Sequence, residues 1–135
     1  MIQDSDTVKK GGRHMSWTLT TDRPIYIQLM EVLKYKIISG TYKPGDKLPS
    51  VRDLAAEASV NPNTMQKALA ELERENLIFT NRTSGKFISE DETMIHKLKH
   101  DIAKNEIQKF FDNMSKLGFS QKETIEILEE ISNND

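Results

Sequence analysis

Between Leu54 and Leu72 the apolar residues recur at three- and four-residue steps in two short runs, and the rest of the chain is organised around that pattern. Leu54, Ala55 and Ala58 make a narrow stripe on one predicted helix, and Met65, Ala68, Leu69 and Leu72 make a wider one on the next. Ser50 suits the cap of the first helix, where its hydroxyl accepts from a free backbone N–H, and Asp53 three residues on predicts a capping box. Asn61 suits the cap of the second helix, and Pro62 fits its first position, which needs no N–H. Two helices joined this closely form a helix-turn-helix. Asn63, Thr64, Gln66 and Lys67 fall outside the apolar stripe at the front of the second helix. Amides, a hydroxyl and a cation are the groups that meet base edges and phosphates.

The flanking patterns extend this unit. Leu29, Val32, Leu33 and Ile37 predict an earlier helix, opened near Pro24 and ended by Gly40. Tyr42 to Asp46 reads as a proline–glycine turn, and Lys47 to Pro49 as a short extended link. After Glu75, Asn76 suits a left-handed helix stop. The β-prone runs Leu77–Thr80 and Lys86–Ser89 then predict a hairpin, which in this position is a wing. Beyond Glu90, the residues Met94, Ile95, Leu98, Ile102, Ile107, Phe110, Phe111, Met114 and Leu117 mark a long amphipathic helix stopped by Gly118. Ser120 and Glu123 predict a second capping box. Ile125, Ile127, Leu128 and Ile131 follow on a final helix that frays over residues 132–135.

The expected architecture is mainly α with a small β-hairpin: a winged helix-turn-helix DNA-binding domain over residues 15–90, then a two-helix dimerisation tail over 91–135. Two helices hide too little of each other to cover this apolar load, so the tail is expected to pack on a second copy. The predicted seam comprises Leu98, Ile102, Ile107, Phe110, Phe111, Met114, Leu117, Ile125 and Leu128. Residues 1–14 are polar and glycine-bearing and read as a leader left by cloning, with the natural start at Met15.

Charge changes the picture only once it is divided. The net charge of −2 is unpromising for a DNA binder. From Thr20 to Glu90, however, ten Lys and Arg stand against nine Asp and Glu, whereas from Asp91 onward six Lys face ten acids. The front can face phosphate and the tail cannot. The 135 residues include no cysteine, which suits a reducing cytoplasm, and no apolar run approaches the roughly 20 residues of a membrane span. A soluble cytoplasmic protein with no membrane association is expected.

Several ordered segments resemble the GntR family of bacterial regulators. They are Pro24-Ile-Tyr with Gln28, the stretch from Gly40 through Pro44-Gly-Asp46 to Leu48-Pro-Ser50, Arg52-Asp-Leu-Ala55, Val60-Asn-Pro-Asn-Thr64, Ala70-Glu-Leu-Glu73 and the glycine-bearing wing. Asn61-Pro-Asn-Thr64 and the short tail resemble the YtrA subfamily in particular. The resemblance implies a homodimeric transcription regulator, a repressor, whose two recognition helices enter successive major grooves of a two-fold-symmetric operator in double-stranded DNA. It implies DNA contacts at Ser50, Arg52, Asn61, Asn63, Thr64, Gln66 and Lys67, and at Arg82, Gly85 and Lys86 in the wing. The chain departs from the family pattern at Ser59, where a glycine is usual, and in the wing at Thr83 and Lys86.

Blander readings stand beside these. Arg52 can pair with Asp53 or Glu57, and Asn61 can serve only as a cap. Glu92, His96 and His100 share one helix face at four-residue steps, but no cysteine and no further histidine outside the leader stands by, so a solvated face is the expectation and no metal is assigned. No catalytic constellation and no phosphate-cradling glycine loop occur, so neither an enzyme nor a cofactor is expected. Two alternatives are a regulator with an effector site at the dimer seam, its effector unknown, and a winged-helix protein-interaction module without DNA.

Overall fold

The computed structural model describes residues 17–134; the leader and its junction at Met15 lie outside them. The chain divides into two compact units, one ending at His96 and the other beginning at Lys97.

The first unit starts with helix α1 (Ile25–Ile38), which Pro24 precedes as N-cap and Ser39 follows as C-cap. Leu29, Val32, Leu33 and Ile37 are buried, as the stripe predicts. Gln28 and Lys36 are buried with them. Gln28 clasps the incoming strand of chain: its Oε1 accepts from Thr20 N–H at 2.8 Å, and its Nε2 donates to the Thr20 and Arg23 carbonyls, each at 2.9 Å. Lys36 lies 4.7 Å from the centre of the Trp17 ring and 5.7 Å from that of Tyr42.

Helices α2 (Val51–Ala58) and α3 (Pro62–Arg74) form the helix-turn-helix, with α3 packed on α1, on α2 and on the first wing strand. The turn between them rests on Ser59, held left-handed at φ 57°, and α3 ends before Asn76, left-handed at φ 65°. Ser50 Oγ accepts from Asp53 N–H at 3.1 Å. The cap is one-sided, which corrects the predicted box: among the described residues Asp53, a methylene shorter than glutamate, makes no return bond to the Ser50 N–H. Leu54, Met65, Leu69 and Leu72 join Leu29, Leu33 and Ile88 as the most deeply buried large side chains of this unit.

The wing is an antiparallel pair, β1 (Ile78–Asn81) and β2 (Gly85–Ile88), in the register Ile78 to Ile88 through Asn81 to Gly85. Each strand sits one residue nearer the loop than the sequence suggested, because Asn81 Oδ1 organises the turn by accepting from the N–H groups of Thr83 and Ser84 and from the Thr83 hydroxyl. The other edge of β2 is also paired. Leu48 N–H donates to the Lys86 carbonyl and Ile88 N–H to the Asp46 carbonyl, both at 2.8 Å. The extended link before α2 therefore lies beside the wing.

Helix α4 (Glu92–Lys116) carries the chain into the second unit, which ends with α5 (Gln121–Asn133). Gly118, at φ 98°, stops α4, and the Leu117 and Phe119 N–H groups donate to the Met114 carbonyl. The second capping box is complete: Glu123 N–H donates to Ser120 Oγ at 3.1 Å and Ser120 N–H to Glu123 Oε1 at 2.8 Å. Helix α5 runs on through Ser132 and Asn133, past the point where fraying is expected. Among the described residues α4 buries no side chain and α5 buries Thr124 alone. Ile107 is 53% exposed, Leu117 71% and Ile131 59%; Phe110, Ile125 and Leu128 are also exposed, while Leu98, Ile102, Phe111 and Met114 are half-buried.

Candidate nucleic-acid interface

The apolar stripe of α3 fixes which of its residues face water. With Met65, Ala68, Leu69 and Leu72 inside, Asn63, Gln66 and Lys67 are exposed and Thr64 is half-buried. Asn61 Oδ1 accepts from Asn63 N–H at 2.7 Å, so its carbonyl oxygen is used as the helix cap and only its NH2 group remains to donate outward. The Asn63 amide side chain is exposed and has no protein partner among the described residues. Its donor and acceptor are both available, in the pattern that adenine presents in the major groove.

The cations sort into two groups. Arg23 pairs with Glu31 at 2.8 Å, Lys34 with Glu75 at 2.9 Å and Arg74 with Glu71 at 3.1 Å. Lys86 is tied into the protein as well: its Nζ lies 2.9 Å from Thr80 Oγ1 and 3.5 Å from Glu73 Oε1. Among the described residues Lys43, Lys47, Arg52 and Arg82 have no acidic partner. The ion pair of Arg52 with Asp53 or Glu57 is thus not formed, and its guanidinium is exposed one residue into α2. An open groove runs between the start of α2 and the wing, lined on one side by Lys47, Ser50, Val51 and the acidic Asp53 and on the other by Thr80, Arg82, Gly85 and Lys86. Gly85, at φ 112°, admits Lys47 here: a Cβ on it would come within 3.2 Å of Lys47 Cε. Positive charge, the helix start and the open groove together suit a phosphate backbone.

The sequence reading missed Lys47. The alternation Lys47 out, Leu48 in was visible, but its place beside the wing depends on pairing with β2, which no local pattern announces. Arg82, Gly85 and Lys86 line the groove that the start of α2 borders, with Lys86 drawn back by Glu73, and Arg52 is the second residue of that helix. Away from this end, burial holds the Lys36 ammonium below its usual range, opposed by Glu57. Burial, helped by Glu57, pushes the Tyr42 phenol up to about 12. No group of three or more His, Cys, Asp or Glu is placed to hold a metal among the described residues, and no described helix is long and apolar enough to cross a membrane.

Residues 25–88 match the family described as bacterial regulatory proteins, gntR family. The repressor YtrA of Bacillus subtilis is 40% identical over 110 residues, covering 81% of this chain and 85% of its own. The uncharacterised regulator YhcF of the same organism is 36% identical, covering 78% and 88%. A GntR-family transcriptional regulator from Listeria monocytogenes superposes with a TM-score of 0.75 at 42% identity, over 83% of this chain and 98% of that one. Matched along most of its length in sequence and in fold, the chain belongs to the gntR family of bacterial regulatory proteins and is a winged helix-turn-helix transcription regulator.

Proposed function

We propose that the protein is a homodimeric repressor that reads a two-fold-symmetric operator with α3 in the major groove. The exposed front of α3, together with a groove to which Lys47 and Arg82 bring cations without an acidic partner among the described residues, carries this reading. Asn63 reads a base edge, with Thr64 and Gln66 beside it. Arg52, Lys67, Lys47 and Arg82 grip phosphates, and Ser50, Asn61, Gly85 and Lys86 shape the surface that meets them. The domain of residues 15–90 binds DNA and the tail of 91–135 joins two copies through Leu98, Ile102, Ile107, Phe110, Phe111, Met114, Leu117, Ile125 and Leu128. The exposure of so many of these apolar side chains supports that seam. That the similar YtrA of Bacillus subtilis is a transcriptional repressor supports the sign of regulation. In this reading the protein works in the cytoplasm and catalyses no reaction; its output is occupancy of a promoter.

Fluorescence anisotropy tests the base reading, on a duplex selected by the full chain from random-sequence DNA and on a scrambled duplex of equal composition. Asn63→Ala should cost roughly 1–3 kcal/mol on the selected duplex and little on the scrambled one. Equal losses on both would make Asn63 a positioning contact and move base reading to Thr64 or Gln66.

A further inference from the structure

Lys67 differs from the other cations that have a partner near the interface. Lys34 and Lys86 lie against carboxylates, which cancel most of their charge toward an incoming phosphate. Lys67 lies instead over an aromatic face, its Nζ 4.0 Å from the centroid of Tyr26. Tyr26 is the second residue of α1, half-buried, on the helix that packs against α3. A ring quadrupole attracts an ammonium without neutralising it, so Lys67 keeps its full charge while its flexible four-carbon stem is held in one direction. The ring covers one side of the ammonium and leaves N–H donors free on the other.

We propose that Tyr26 is a positioning residue for DNA binding: its ring presents the Lys67 ammonium to a phosphate, so that the side chain is ordered before the DNA arrives. The inference rests on the proposed phosphate role of Lys67 and adds to it the residue through which that role is set. Because the contact is to the backbone, it acts on any sequence.

The test is a double-mutant cycle with the full chain on a mixed-sequence duplex, read by anisotropy across a salt series. Tyr26→Leu should weaken binding by roughly 5- to 30-fold for a dimer carrying two such contacts, and Tyr26→Phe, which keeps the ring, should restore it. In a Lys67→Ala background, Tyr26→Leu should add almost nothing. A purely structural Tyr26 would cost the same in both backgrounds, and that result overturns the inference. So does tighter binding by Tyr26→Leu, which would mean that the ring sequesters Lys67 from DNA. Unchanged binding by Lys67→Ala would remove the phosphate role of Lys67 itself, and the inference with it. A weakened Lys67→Ala beside an undiminished Tyr26→Leu would leave that role standing and refute the inference alone.

Discussion

Ser59 holds the turn of the helix-turn-helix at φ 57°, a conformation that crowds any Cβ against the following carbonyl. Glycine would relieve that crowding at the cost of some unfolded-chain entropy, so Ser59→Gly should stabilise the protein by about 0.5–1 kcal/mol. Urea unfolding measures this, and an unchanged midpoint would mean that the serine sits there without strain. Asn76 at φ 65° makes the second left-handed stop with a residue type that tolerates the conformation better. Both positions were legible, because turn chemistry is local. The paired states of individual charges were not. That Lys86 would bend toward Glu73 and Thr80 and that Lys67 would lie on Tyr26 both depend on neighbours from other elements.

Each helix was readable from its stripe and caps, and the limits of that reading are physical. The stripe of α1 gave Leu29, Val32, Leu33 and Ile37 but not buried Gln28 and Lys36, whose partners come from upstream residues and from the turn after the helix. The capping pattern gave a full box at Ser120 and half of one at Ser50, the difference being the reach of glutamate over aspartate. The wing strands were placed one residue off because Asn81 both ends β1 and ties the loop. The burial of Tyr42, with Glu57 near it, gives the turn after α1 a pH signature. The Tyr42 phenol is raised from 10.0 to about 12, so within that window the folded chain keeps a proton that the unfolded chain has released. Stability should therefore fall as pH rises from 10.0 to about 12, and Tyr42→Phe should remove that part of the slope. An identical slope in wild type and variant, by denaturant unfolding across the window, would contradict the assignment.

At the scale of the molecule the charge division has a role. The acidic tail of the chain leaves most of the exposed apolar side chains in water, and the part before it carries the groove. In the proposed dimer, joining two copies through the acidic tail would keep it off the phosphates and make the second half-site contact intramolecular. With Lys47, Arg52, Lys67 and Arg82 in each subunit, a dimer would neutralise up to about eight phosphates, and affinity should fall steeply with salt. The central claim, a tail-joined dimer that reads two half-sites, is tested most directly by the sedimentation mass of the full chain on the duplex it selects. The account predicts two chains per duplex and a two-fold-symmetric selected motif whose half-sites lie about one helical turn, or a multiple of it, apart. It also predicts a single free chain when Phe110→Glu and Leu117→Glu are combined. One chain per duplex on an asymmetric motif, or a stable dimer of the doubly substituted chain, would contradict it.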